Sequence, residues 1–483
     1  MNFRPVAFLT GLLLSGLAIA MIPPVIADLL HGNKNWLVFV AAAGLTLFVG
    51  VGLSVSCWPG AGKFRITTRE TFVFTASNWA TLAAFAALPF VFADLGLDYT
   101  DAYFEAMSGL TTTGSTVIVG LDFAAPGLLL WRALLQWIGG IGIVVTAIAI
   151  LPALQVGGMQ LFRAEALEQH EKVLPRAAQI AVGIGGVYLT CTIIVAAGYW
   201  LVGMNTFDAI THAMTTISTG GYANYDSSFG NFEGSPVLFI ATFGMILGSL
   251  PFIMYLKAIR VSVRVALRDP QARGFMVAAL GFVVFAVAMR NWDDAESGVM
   301  LVADTAFNVV SIMTGTGYAN ENFELWGAFA TPFFFILMFI GGCAGSTTCA
   351  IKIFRFQVLF AFAAAQLRRL ARPHRVARAR YAGKALLPET IDSVMAFFFL
   401  YMVCFVLLAL GLGMCGADAM TALSGAATAI SNVGPGLGAE IGPEGNFAGL
   451  PDAAKWLLAA GMLLGRLELF TVLILLMPRF WRS

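Results

Sequence analysis

Four short segments share one pattern, in which an aliphatic residue or methionine is followed by serine or threonine, two further residues and a glycine. They occupy residues 110–114, 217–221, 313–317 and 430–434. Their spacing is similar, so a unit of roughly 100 residues recurs four times. If the segments meet at one axis, their backbone carbonyl oxygens can replace the hydration shell of a cation. The pattern therefore favours cation binding by main-chain oxygen atoms.

The glycine of each copy suits an extended backbone of alternating handedness, which turns its carbonyls inward only where a positive φ is accessible. We predict that the glycine and the two residues before it supply the cation ligands. These are Thr112, Thr113, Gly114, Thr219, Gly220, Gly221, Gly315, Thr316, Gly317, Asn432, Val433 and Gly434. The hydroxyl residues expected to support them are Thr111, Ser218, Thr314 and Ser431. Taken singly, any one of these segments could instead be a flexible outer loop.

The composition places the chain in a membrane. Hydrophobic residues make up 59% of the sequence and charged residues 11%, and the mean hydropathy is +0.83. That leaves too little polar surface for a soluble protein of this length. We interpret the cysteines as small membrane-embedded side chains, because no Cys-x-x-Cys pair or nearby histidine suggests a metal site. They are Cys57, Cys191, Cys343, Cys349, Cys404 and Cys415.

Ten apolar stretches approach the ~20 residues that span a bilayer. They cover residues 6–29, 36–58, 71–92, 128–154, 180–202, 237–255, 275–290, 329–353, 393–412 and 456–477. The first begins like a signal peptide, but its apolar run continues to Leu30. We therefore expect it to be an uncleaved span.

Lysine and arginine are concentrated in alternate loops, which sets the predicted orientation. The basic groups fall at residues 63–69, 163–176, 257–273, 368–384 and 479–482. We expect these loops and both termini on the cytoplasmic side. The intervening loops, from Asp94 to Asp452, carry mainly acids. Those acids could attract cations to an outer mouth, or they could simply solvate the loops.

A short helix-compatible segment of about a dozen residues precedes each copy of the pattern. The first three begin at Asp101, Asp208 and Asp304, a residue type favoured at helix starts, whereas the fourth, at Thr421, matches less well. At about 1.5 Å per residue, such a helix reaches only halfway through the hydrocarbon. Its end is tolerated there only if it is buried in protein or lines a water-filled cavity. We therefore predict four re-entrant pore helices around a common axis.

An even number of full crossings in each unit makes the four units parallel. We therefore predict an all-α polytopic membrane protein with two amino-terminal transmembrane helices. They are followed by four helix, re-entrant pore helix, helix units in pseudo-fourfold arrangement around a central pore. The predicted divisions are 1–60 for the extension and 61–176, 177–273, 274–388 and 389–483 for the pore units.

The eighth apolar stretch contains a run of small and polar residues that weakens helix formation in mid-membrane. The run comprises Gly341, Gly342, Cys343, Ala344, Gly345, Ser346, Thr347 and Thr348. We expect the second helix of the third unit to break there, although such residues are also typical of a close helix-packing face. Lys352 and Arg466 either meet this segment from the cytoplasmic side or act as interfacial anchors. Arg132 is expected to be a structural residue at the outer end of its span.

Several motifs together resemble the Trk/Ktr/HKT superfamily of potassium transporters, specifically the Trk-type bacterial membrane subunit. They lie at residues 107–116, 135–142, 159–165, 341–347 with Ile351 and Lys352, 431–436 and 465–470. The likeness covers nearly the whole chain. The two extra amino-terminal spans favour the Trk branch over the Ktr branch.

This resemblance implies a four-unit pore for K⁺ uptake in the bacterial cytoplasmic membrane. Gly114 occupies the position at which a serine accompanies Na⁺ transport in plant relatives, so K⁺ is favoured over Na⁺. The family also implies that the stretch with Gly341, Gly342, Gly345, Ser346, Thr347 and Thr348 is an intramembrane gating loop below the filter. Here Thr348-Cys349-Ala350 departs from the usual glycine-rich ending, which leaves the loop's flexibility open.

The implied partners are the lipid bilayer, a second copy of the chain in a homodimer, and a separate cytoplasmic ring with nucleotide-binding domains. The chain itself has no dinucleotide or phosphate-loop motif and no soluble domain. Any nucleotide sensor would thus be another polypeptide, and neither an organic cofactor nor a nucleic-acid partner is expected. The basic segment 368–384 could be a docking surface or a lipid contact.

Two other functional classes have recognisable signatures. An H⁺- or Na⁺-coupled symporter of K⁺ would place broken helices at a midplane site, but most such folds show two inverted repeats. A membrane enzyme would need convergent nucleophiles or metal ligands. The four histidines are scattered instead, at His31, His170, His212 and His374. We therefore expect a transport protein and no catalytic residues.

Overall fold

The computed structural model describes residues 1–60, 66–149, 177–232, 234–293, 298–372 and 377–482. Regular structure in these ranges is almost entirely α-helical, which confirms the predicted fold class. Several features singled out in the sequence lie outside the described residues. They are the basic group at 163–176, the motif at 159–165, His170, His374 and parts of the basic groups at 63–69 and 368–384.

The helices fall into an amino-terminal extension and four successive groups. The first part contains α1 (Arg4–Ala20), α2 (Ile22–Leu30), α3 (Trp36–Ser56), α4 (Thr68–Ala86), α5 (Leu88–Phe92), α6 (Tyr99–Leu110) and α7 (Pro126–Ala149). The middle contains α8 (Ala177–Leu201), α9 (Thr206–Ile217), α10 (Ser235–Ser249), α11 (Phe252–Arg260), α12 (Val263–Ala266), α13 (Pro270–Asp293), α14 (Val299–Thr314), α15 (Ala330–Leu337) and α16 (Ile353–Ala371). After the antiparallel hairpin β1 (Arg380–Tyr381) and β2 (Lys384–Ala385) come α17 (Pro388–Met414), α18 (Ala419–Ser431), α19 (Asp452–Arg466), α20 (Phe470–Leu473) and α21 (Pro478–Arg482).

The first three helices form the amino-terminal extension. α1 and α3 cross in close contact, since a Cβ on Gly11 would lie 2.6 Å from the carbonyl oxygen of Gly50. The buried carboxylate of Asp28 in α2 accepts a hydrogen bond of 2.7 Å from the Gly127 N–H. The extension is therefore attached to the start of α7, in the first group of helices.

The pore helices, α6, α9, α14 and α18, end at the four repeated segments. They contain 12, 12, 16 and 13 residues, which is too short to span a bilayer. In three of them a side chain caps the first turn by accepting from a backbone N–H. The caps are Asp98, Asn205 and Asp418.

The starts of the pore helices differ from those predicted. Asp101 and Asp208 lie in the first turn after the cap, and Asp304 lies inside α14. An acid in the first turn also interacts favourably with the helix dipole, so residue type alone did not separate the two positions. With Asp418 as its cap, the fourth copy has the same 16-residue distance from cap to glycine as the first two (434 − 418, 221 − 205 and 114 − 98).

Seven helical stretches among the described residues are long and apolar enough to cross a membrane, and two sharply bent helix pairs would make nine. The bent pairs are the predicted spans at 237–255 and 456–477, with bends of 87° and 108° that the sequence did not indicate. The predicted span at 329–353 is interrupted between Leu337 and Ile353, where a helix break was expected. At the first bend Pro251 cannot donate to the helix and holds Leu250 extended.

α7 passes the end of the first pore helix at backbone contact. A Cβ on Gly139 would lie 1.9 Å from the carbonyl oxygen of Leu110, so a larger residue does not fit without a shift. Three residues further on, a Cβ on Gly142 would meet only the Trp79 ring, at 3.8 Å. Gly139 thus lies against the backbone of the first pore helix, whereas Gly142 does not.

We predict that Gly139→Ala destabilises the protein by about 1–3 kcal/mol, the usual cost of overpacking. Gly142→Ala should be neutral or slightly stabilising, because alanine favours a helix by up to ~1 kcal/mol over glycine. Thermal unfolding of both variants in the same detergent checks this. Equal midpoints for the two variants would contradict the assigned contact.

Candidate cation filter and gating loop

All four pore helices end in the same hydrogen-bonded turn. The residue two before each repeated glycine has a positive φ: 52° at Thr112, 50° at Thr219, 70° at Gly315 and 55° at Asn432. The next N–H donates to the carbonyl five residues back, at 2.8–3.1 Å, in a Schellman arrangement. The donor and acceptor pairs are Thr113 and Ser108, Gly220 and Thr215, Thr316 and Ser311, and Val433 and Thr428. The helix therefore uses the N–H of this residue but not its carbonyl group.

The repeated glycines return to positive φ, between 79° and 114°. Each glycine lies against a carbonyl oxygen of another copy. That oxygen belongs to the residue immediately before the other copy's repeated glycine. A Cβ built on the glycine would lie 2.3 Å (Gly114 to Gly220), 1.7 Å (Gly221 to Thr316), 2.0 Å (Gly317 to Val433) and 2.9 Å (Gly434 to Thr113) from that oxygen. Each copy thus contacts the next one along the chain, and the fourth contacts the first. The predicted ligand residues form a closed ring.

An open cavity of about 300 Å³ lies over this ring. All four repeated glycines line it, together with Ser115 and Tyr222. The backbone of every copy therefore reaches the same water-accessible space. Within the described residues, no cluster of histidine, cysteine or carboxylate side chains could hold a metal ion.

The predicted support residues lie beside the ring but differ in what they contact. In the first and third copies two hydroxyl groups pair. The pairs are Thr111 with Thr113 at 2.7 Å and Thr314 with Thr316 at 2.8 Å. In the fourth copy Ser431 instead pairs with the Tyr401 hydroxyl at 2.6 Å, and in the second Ser218 donates to its own helix.

The side chain of Asn432 joins the fourth copy to the first. Its Nδ2 donates to Thr113 Oγ1 at 2.8 Å and to the Met462 carbonyl at 2.9 Å. Ser115 Oγ makes a second link between these copies by donating to the Gly434 carbonyl at 2.7 Å. The copy that diverges most in sequence is therefore bonded directly to its neighbour.

Gln136 braces the second copy and was not singled out in the sequence. Its Nε2 donates to the Gly220 carbonyl at 2.6 Å, and its Oε1 accepts from the Tyr222 N–H at 3.0 Å. The side chain is completely buried in α7. A glutamine inside an apolar span was the available signal, because a buried amide needs hydrogen-bond partners.

A buried ion pair lies behind the first two copies. Glu105 and Arg132 are 2.8 Å apart, with side chains 0% and 2% exposed. Glu105 also accepts from the Val117 N–H, while Arg132 donates to the Ala223 carbonyl at 2.7 Å and stacks on Tyr222 at 4.0 Å. Arg132 thus holds the segments that follow the first and second copies of the pattern.

Two further acidic side chains, Asp226 and Glu324, accept hydrogen bonds from backbone N–H groups. Asp226 accepts from the N–H groups of Gly120 and Leu121, and Glu324 accepts from that of Gly438. Burial raises the pKa of Glu324, and the bond from Gly438 partly offsets this shift. Asp226 therefore joins the segments that follow the first and second copies of the pattern, and Glu324 joins those that follow the third and fourth. The acids that remain exposed and could act on ions in solution include Asp94, Asp122, Glu440 and Glu444.

The predicted loop forms a compact bridge from the end of α15 to α16. Its two ends pair, because Gly341 N–H donates to the Ile351 carbonyl at 2.7 Å and Ile353 N–H donates to that of Gly342 at 3.0 Å. Inside the loop, Ser346 and Thr348 pair through their hydroxyls at 2.8 Å, and the Gly345 carbonyl accepts from α11.

Thr347 and Ala350 attach the loop to the ends of the second and fourth pore helices. The Thr347 hydroxyl has one proton, which is shared between the carbonyls of Ile217, at 3.0 Å, and Gly248, at 2.9 Å, and it lies 3.1 Å from the Thr219 hydroxyl. The Ala350 N–H donates to the Ser431 carbonyl at 3.1 Å. The loop therefore reaches from the second copy to the fourth.

Both predicted basic residues contact the loop. Lys352 Nζ donates to the Thr348 carbonyl, and Arg466 donates to the carbonyls of Thr347 at 3.1 Å and Gly139 at 3.0 Å. Arg466 also lies 2.7 Å from Cys349 Sγ. A further buried ion pair beside them, between Arg355 and Glu468, was not anticipated, since its members are far apart in the sequence.

Comparison with known proteins agrees with this architecture. Residues 39–483 match the TrkH family, described as a cation transport protein. The Trk system potassium uptake protein TrkI of Halomonas elongata is 43% identical over 100% of this chain and 98% of its own length. TrkH of Escherichia coli K12 is 36% identical over the whole of both chains.

A solved structure is similar throughout. The crystal structure of the potassium transporter TrkH from Vibrio parahaemolyticus superposes with a TM-score of 0.92 and 34% identity, covering 100% of both chains. The related proteins are transporters, in agreement with the expectation that the chain is not an enzyme. The chain belongs to the TrkH family of cation transport proteins.

Proposed function

We propose that the protein takes up K⁺ across the bacterial cytoplasmic membrane through a filter of backbone carbonyls. The observation that carries this proposal is the closed ring, in which each repeated glycine lies against a carbonyl oxygen of another copy. Such oxygens can replace the hydration shell of K⁺ without a charged side chain. The named relatives are potassium uptake proteins, which supports K⁺ as the transported ion.

The filter ligands in this proposal are the twelve residues predicted from the sequence, with the four hydroxyl residues as support. The cavity lined by the four glycines serves as the outer entrance. Basic loops and both termini face the cytoplasm by the positive-inside rule. The proposed pore units follow the predicted divisions 61–176, 177–273, 274–388 and 389–483, except that the second unit ends before α13, which begins at Pro270.

The loop with Gly341, Gly342, Gly345, Ser346, Thr347 and Thr348 is the proposed gate. It is bonded to the second and fourth copies on the inner side of the ring, so an ion leaving the filter meets it first. Lys352 and Arg466 hold its carbonyls and thereby stabilise the obstructing position. A homodimer and a separate cytoplasmic ring with nucleotide-binding domains complete the proposed assembly.

Flux of radiolabelled Rb⁺ into liposomes containing the purified protein tests the function. The proposal predicts a K⁺-selective flux that requires no second ion. The second candidate is symport of K⁺ with H⁺ or Na⁺, in which broken helices form the ion site. Flux that occurs only with a proton or Na⁺ gradient would favour that candidate.

We predict that Gly114→Ser lowers K⁺ over Na⁺ selectivity about tenfold, equivalent to about 1.4 kcal/mol, while the protein still folds. The added Cβ would lie 2.3 Å from the Gly220 carbonyl, so the ring must widen or shift. Competition of Na⁺ with Rb⁺ flux measures the effect.

The matched control for this variant is Gly120→Ser. Gly120 has a similar φ of 80° but lies outside the ring, and a Cβ on it would have no other atom within 4 Å. The control should therefore share the backbone strain and keep the selectivity. Unchanged selectivity in Gly114→Ser, or an equal loss in both variants, would count against the filter assignment.

We predict that Thr347→Val raises K⁺ flux several-fold. The substitution keeps the side-chain shape and removes the hydroxyl proton that is shared between the Ile217 and Gly248 carbonyls. A hydrogen bond of this kind contributes about 1 kcal/mol. Thr348→Val is the control, because among the described residues its hydroxyl bonds only to Ser346, which lies in the same loop. Rb⁺ flux that is equal in both variants, or lower in Thr347→Val, would argue against the loop as a gate.

A further inference from the structure

A second cavity lies where α16 ends and α17 begins, and it shares no lining residue with the cavity over the ring. Its volume is about 480 Å³, and it is enclosed by the last turns of α16, the β1–β2 hairpin and the start of α17. None of the filter or gate residues lines it. It is therefore separate from the proposed ion pathway.

The hairpin forms one wall of this cavity because it folds back on the helices. Tyr381 packs in a small apolar cluster with Phe354, Val358 and Val394. The Leu386 N–H donates to the Ala379 carbonyl at 2.9 Å, which continues the pairing beyond the two strands. The wall is thus fixed by contacts of its own.

The cavity combines cationic and apolar surfaces. Arg369 and Arg378 line it, and Arg369 Nε donates to the Ala377 carbonyl at 2.9 Å, which positions the guanidinium at this wall. Phe362, Leu387 and Ile391 provide apolar lining, while Asp392 is the acid among the lining residues. Guanidinium groups suit phosphate because they can form two parallel hydrogen bonds.

The surroundings of the cavity indicate a bilayer surface. α17, which begins at Pro388, is apolar and long enough to cross a membrane. Beside the arginines, Leu367, Leu370 and Leu387 are 67%, 79% and 66% exposed. Exposed leucines next to arginines at the end of a span are typical of contact with acyl chains and anionic headgroups.

We propose that this cavity binds an anionic phospholipid of the inner leaflet, with the phosphate at Arg369 and Arg378 and an acyl chain along Phe362, Leu387 and Ile391. The proposal rests on the proposed orientation, which places this cavity at the cytoplasmic surface. A lipid fits better than a soluble phosphate because most of the lining residues are apolar and the cavity is continuous with a membrane span.

Native mass spectrometry of the purified protein, titrated with phosphatidylglycerol, tests this proposal independently of transport. The double variant Arg369→Gln/Arg378→Gln should bind the lipid about 25-fold more weakly, since each basic residue near an anionic headgroup contributes roughly fivefold. Binding of phosphatidylcholine should change little. Arg264→Gln/Arg268→Gln removes two exposed arginines from another basic loop and should bind phosphatidylglycerol like the wild type.

Arg378→Gln alone provides the test if loss of the Arg369 bond to Ala377 impairs folding, and it should weaken binding about fivefold. Equal phosphatidylglycerol binding by the wild type and the variants would overturn the proposal. So would displacement of the lipid by millimolar inorganic phosphate, which would indicate a site for a free anion. An equal loss of phosphatidylcholine would overturn the preference for an anionic lipid, because it would indicate recognition of the phosphate group that both lipids carry.

Discussion

The contact between each repeated glycine and a neighbouring carbonyl oxygen sets the size of the ring. A side chain at any of these glycines would enter space that the next copy occupies. The positive φ of the glycine and the Schellman turn before it are the local conditions for that contact. The four pore helices, their caps and the surrounding spans therefore hold a backbone arrangement that no single copy could form.

The braces behind the ring are unequal, although its backbone is nearly fourfold. Gln136 supports the second copy, Glu105 with Arg132 holds the segments after the first two copies, and Asn432 ties the fourth to the first. Removing one member of a buried ion pair leaves an uncompensated charge, which typically costs about 3–5 kcal/mol. The hydrogen bonds of Thr347 to Ile217 and of Arg466 to Thr347 connect the loop between α15 and α16 to the pore helices and to α19.

The recurring parts of the site could be predicted from the sequence, because pattern, topology and helix length repeat along the chain. The positions of Thr112, Thr219, Gly315 and Asn432 in equivalent turns follow from that repetition. The braces could not be predicted in the same way. Glu105 and Arg132, or Arg355 and Glu468, meet only through the fold, and acids such as Asp101 and Asp304 suited several positions near a helix start.

In the proposed mechanism, main-chain carbonyls of the four copies hold the transported ion. The most direct measurement is an anomalous-scattering map from crystals grown with Rb⁺ in place of K⁺. We expect a peak on the axis of the ring, within bonding distance of the carbonyls of Thr113, Gly220, Thr316 and Val433. A peak off the axis, bound by carboxylate side chains with none in the ring, would contradict it.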